Sequence, residues 1–108
     1  MAVEHGKRWG QWRYNATNLT VEYIDYEPGK KGAIAYYVDL ERCGTADDIL
    51  DWIIQLAEKA WIRPEDIGQL VRALDELAGY GLQGKVLYTD TPFDWKTHLL
   101  GSPTSGSA

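Results

Sequence analysis

Cysteine is almost missing from this 108-residue chain. Cys43 stands alone, so no disulfide can form within it. A solitary thiol suits a reducing compartment. Histidine is nearly as scarce: His5, His98 and Cys43 lie far apart in sequence, and this inventory cannot supply a zinc site. Nor is there an apolar run of about 18 residues, which a membrane-spanning helix would need. The opening MAVEHGKRWGQWRY is charged and lacks the apolar centre of a secretory signal. A cytoplasmic chain is therefore expected, in which the sequons at Asn15 and Asn18 have no meaning. No phosphate loop, dinucleotide fingerprint or metalloprotease helix occurs. The expectation is no cofactor, no metal and no catalytic residue.

Lysine and arginine are in deficit, but only locally. Net charge is −5. Residues 46–79 hold Lys59, Arg63 and Arg72 against Asp47, Asp48, Asp51, Glu58, Glu65, Asp66, Asp75 and Glu76, while the flanking parts balance. Such a surface disfavours direct nucleic-acid binding, which needs clustered cations. The basic residues Lys7, Arg8, Arg13, Lys30 and Lys31 near Trp9 and Trp12 are too few, and too close to Asp25 and Glu27, to reverse that. Phenylalanine is rare too: one Phe against five Trp and seven Tyr. Trp and Tyr carry a polar handle on a large apolar body, which suits partly exposed strands and interfaces.

What is present reads as one α+β domain over residues 1–100, with residues 101–108 a disordered tail. Trp9 to Tyr14 is a short strand. Leu19 to Tyr26 alternates, Leu19, Val21 and Tyr23 facing one way and Thr20, Glu22 and Ile24 the other, as in a half-buried strand. Pro28-Gly29 reverses the chain. Ala33 to Leu40 alternates again, with Ile34, Tyr36, Val38 and Leu40 on one face. Thr45 caps a helix whose apolar arc, through Ile49, Leu50, Trp52, Ile53, Ile54, Leu56 and Trp61, is about twice the ~100° of a simple surface helix. Pro64 opens a second helix, Gly79-Tyr80-Gly81 stops it, and a connection of about three residues predicts an antiparallel helical hairpin. Lys85 to Thr89 predicts a fourth strand, and Thr91 to Leu100 a segment docked over apolar surface. The result is an antiparallel three- or four-stranded sheet with the hairpin on one face.

The segment YYVDLERCGTADDILDWIIQLAEKAW resembles a set of short bacterial hypothetical proteins of unassigned function. These share Tyr-x-Val/Ile-Asp-Leu-Glu-Arg, a Thr-capped helix with Leu-Asp-Trp-Ile, and Lys-x-Trp. The matching positions are Tyr36 or Tyr37 through Arg42, Thr45, Leu50 to Ile53 and Lys59 to Trp61, and a looser match runs to Asp75. The resemblance spans about 40 residues. It implies an accessory gene of a mobile element, phage or gene cassette, and no catalytic role.

Three functional readings follow. The leading one is a small non-enzymatic binding protein, a homodimer with room for a further protein partner. Its contact candidates are Trp9, Trp12, Tyr14, Tyr23, Tyr26 and Tyr37. The second is a small-molecule or enzymatic pocket between sheet and helices, lined by Tyr36, Trp52 and Trp61. The third makes the acidic helical pair a nucleic-acid mimic that blocks a host defence protein. Cys43 is the one conceivable nucleophile, two residues before a helix N-cap, with His98 as its base; a buried structural thiol is the reading preferred.

Overall fold

The computed structural model describes residues 3–25 and 33–101. Four strands, β1 (Arg8–Trp9), β2 (Trp12–Asn15), β3 (Thr20–Asp25) and β4 (Ala33–Asp39), form one antiparallel sheet in the order β1-β2-β3-β4. Three α-helices follow: α1 (Ala46–Ala57), α2 (Pro64–Leu77) and α3 (Trp95–Leu100). The fold is α+β, as the pattern of elements predicts. Among the described residues no helix is long and apolar enough to cross a membrane.

The expected first strand is a tight hairpin. Trp9 pairs with Trp12 across Gly10-Gln11, and Gly10 sits at φ +61, the positive value this two-residue turn demands at its first position. The fourth strand thus arises at the start of the chain. Lys85 to Thr89 does not supply it: Gln83–Leu87 is a single π-helical turn, with Val86 buried. The turn is closed by Lys85 N to Gly81 O and Tyr88 N to Gln83 O, both at 2.8 Å, and Lys85 Nζ donates to Ala78 O at 2.6 Å, at the end of α2.

Central position buries β3 on both faces, where alternation predicts one. Val21 and Tyr23 join the core beneath the helices. On the opposite face Glu22 is buried, its carboxylate accepting from Arg13 at 3.0 Å and Asn15 at 3.1 Å. Arg13 is the cross-strand partner of Glu22, so register alone delivers the cation. The alternation expected for β4 also breaks. Tyr36 pairs with Tyr23 but Ile34 pairs with Ile24, so a bulge falls between them and Ile34 comes out half exposed.

Thr45 caps α1, its hydroxyl accepting from Asp48 N at 3.2 Å. The helix ends at Ala57, so Ala60 and Trp61 belong to a six-residue connection (58–63) twice the expected length. Pro64 opens α2 as predicted. This second helix packs against β1, β2 and α1, burying Leu70, Ala73, Leu74 and Leu77. The segment before residue 100 does dock: Trp95 is buried, and its indole donates to Cys43 O at 2.9 Å.

Candidate functional site

Five of the eleven described Trp and Tyr side chains are buried, while Tyr37, Trp61, Tyr80 and Tyr88 are exposed. Trp9, Trp12, Tyr14 and Tyr23 are buried members of the core and present no contact surface. Four indoles tie distant segments together: Trp9 to Glu76 Oε1 at 3.4 Å, Trp12 to Asp66 O at 2.8 Å, Trp52 to Arg42 O at 3.2 Å, and Trp95 to Cys43 O. Trp9, Trp12 and Trp95 bring a large apolar body into the interior, Trp52 is half-buried, and each spends its polar handle on another element. Tyr26 lies outside the described residues.

Asp66, counted above only among the acidic residues, lies in the first turn of α2. It is fully buried. Its carboxylate accepts from Arg63 N at 3.1 Å, from Tyr23 Oη at 3.2 Å and from the Arg63 guanidinium at 3.4 Å. A carboxyl group out of water requires such a set of donors, and here they fasten the start of α2 to β3. Asp three residues after the residue preceding Pro64 was the available signal.

Tyr36, Tyr37, Trp52 and Trp61 gather at the outer edge of β4. Tyr36 meets Trp52 edge-on at 6.2 Å between centroids and lies 6.1 Å from Trp61, which in turn stacks 4.7 Å from Tyr23. Lys59 Nζ sits 5.5 Å over the Tyr36 ring. Beside this cluster an open groove of about 580 Å³ is lined by Ile34, Tyr36, Tyr37, Trp52 and Gln55. The Tyr36 hydroxyl is buried with no hydrogen-bond partner among the described residues, and that burial raises its pKa. Trp61 flanks the groove without lining it.

Cys43 is not poised for catalysis. It is completely buried at the corner between β4 and α1, with Sγ 3.4 Å from Asp39 O. Burial, with Asp39 and Asp48 adding to it, pushes the thiol up to about 12, so it is protonated at neutral pH. His98 is taken up elsewhere, packed 5.2 Å from the Phe93 ring and against the Gly79 corner. Among the described residues no group of three His, Cys, Asp or Glu side chains could hold a metal ion.

The eight carboxylates of residues 46–79 do not form one strip. Asp66 is internal, Glu76 binds Trp9 and Lys7, Asp75 accepts from Leu82 N, and Asp48 lies in the Thr45 cap. Asp47 and Asp51 on α1, Glu58 at its C-cap and Glu65 at the start of α2, beside Arg63, are exposed. Comparison with known proteins finds no matching family model, no matching curated protein and no matching solved structure.

Proposed function

We propose that this chain is a small non-enzymatic interaction protein, a cytoplasmic homodimer carried by a bacterial mobile or accessory gene. The observation that carries the reading is the outer edge of β4. This strand ends the sheet, yet its sequence, Ala33–Asp39, has neither the Lys nor the Pro that guards the edges of monomeric sheets. Tyr37 is 54% exposed and Ile34 50% exposed beside it. Antiparallel pairing of a strand with its own copy about a two-fold axis is self-complementary, and would merge two sheets while covering both side chains. The bulge leaves Tyr36–Asp39 as the regular part available for pairing. Light scattering across micromolar concentrations tests this: a dimer is expected, and a strict monomer removes it.

The groove favours a second reading, a small-molecule site. Exposed Gln55 lies among the aromatic walls of Tyr36, Tyr37 and Trp52, a polar group within an apolar lining as in a ligand pocket. A fragment screen by NMR would show shifts at Trp52 and Gln55 if it binds ligands; silence there rejects it. The acidic-mimic reading gains nothing from four exposed carboxylates divided between α1, its C-cap and α2.

A further inference from the structure

The outward face of α1 carries two parallel rows of exposed side chains. Leu50, Ile54 and Ala57 recur at the four-three spacing of a coiled-coil seam. Leu50 is 53% exposed and Ile54 49%. Alongside runs the second row, Asp47, Asp51 and Glu58, all exposed and, among the described residues, without an ion pair. Lys59, the nearest cation in sequence, turns the other way, over Tyr36.

Resting on the reading of the chain as an interaction protein, we infer that this face docks a cationic amphipathic helix of another protein. That helix would place an apolar stripe on Leu50, Ile54 and Ala57, and Lys or Arg side chains against Asp51 and Glu58. Charge complementarity selects this occupant. A second copy brings no cation, because α1 contains neither Lys nor Arg, and an antiparallel copy would set the acidic row against itself. Nucleic acid and anionic lipid surfaces are repelled by the same carboxylates. The apolar row supplies binding strength and the acidic row its selectivity.

The test titrates the full chain into two fluorescently labelled synthetic helices with an identical leucine seam, one flanked by lysines and one by glutamates, read by anisotropy. The lysine helix is expected to bind and the glutamate helix not. Ile54→Gln should weaken the lysine helix about tenfold or more, with an unchanged urea midpoint confirming the fold. The double variant Asp51→Lys, Glu58→Lys should lose the lysine helix and gain the glutamate one. Absent binding, equal binding of both helices, or indifference to the charge reversal would overturn the proposal. Light scattering on the same samples separates the two claims. A monomer that binds the lysine helix sinks self-association alone, and a dimer that ignores it sinks this inference alone.

Discussion

Two buried groups, Asp66 and Cys43, face the same loss of water and resolve it in opposite ways. Asp66 is surrounded by donors, so removing it strands them. Asp66→Ala should destabilise the fold by about 3 kcal/mol in urea unfolding, because Tyr23 Oη and Arg63 N are left unpaired. Asp66→Asn, which keeps an acceptor, should cost less. Cys43 stays neutral instead. Its folded pKa of about 12 lies above the ordinary 9.0 that the unfolded chain regains. A raised pKa contributes stability that is whole below the unfolded value and lost as pH climbs toward the folded one. The wild type should therefore lose stability relative to Cys43→Ala between about pH 9 and pH 12. A thiol reagent at pH 8 should label the native chain only at its unfolding rate.

Within α1, composition and burial part company. Its apolar arc predicts a helix held between sheet and partner helix, and Leu56 and Ile49 fill that role as buried residues. Leu50 and Ile54 have the same chemistry on the opposite side and face water. Leu56→Ala should cost about 3 kcal/mol through the cavity it leaves. Leu50→Gln and Ile54→Gln should stay within about 0.5 kcal/mol, since neither removes buried surface. Equal large losses at all three positions in urea unfolding would mean that the outer row is already covered in the isolated chain. The C-terminal turn of α2 offers a contrast. Gly79 sits at φ +72, and a methyl group there would meet Lys85 Nζ, the donor to Ala78 O, at 3.1 Å. Periodicity could not foresee the π-helical turn, because Lys85 to Thr89 has strand-like residues.

At the scale of the whole molecule, an open sheet edge and an outward apolar helix face lie on one small domain. Tyr37→Lys places a charge on the exposed edge without touching the core, and should convert the expected dimer to monomer in light scattering at unchanged helix content. The wild-type thermal midpoint should then rise with protein concentration, and the variant's should not.

Local signals in the sequence were enough to place β3, β4, the Thr45 cap and the start of α2 at Pro64, because caps, turns and two-residue alternation act between neighbours. Composition also foretold that Trp and Tyr would matter, but not where. Only tertiary structure decided that Trp9, Trp12, Tyr14 and Tyr23 serve the core while Tyr37, Leu50, Ile54 and Trp61 meet solvent. It likewise set the bulge that turns Ile34 outward and the burial of Glu22 beneath Arg13. The reason is geometric: an apolar side chain is equally apolar on either side of a helix or strand. Which side is dry depends on elements packed against it from distant parts of the chain.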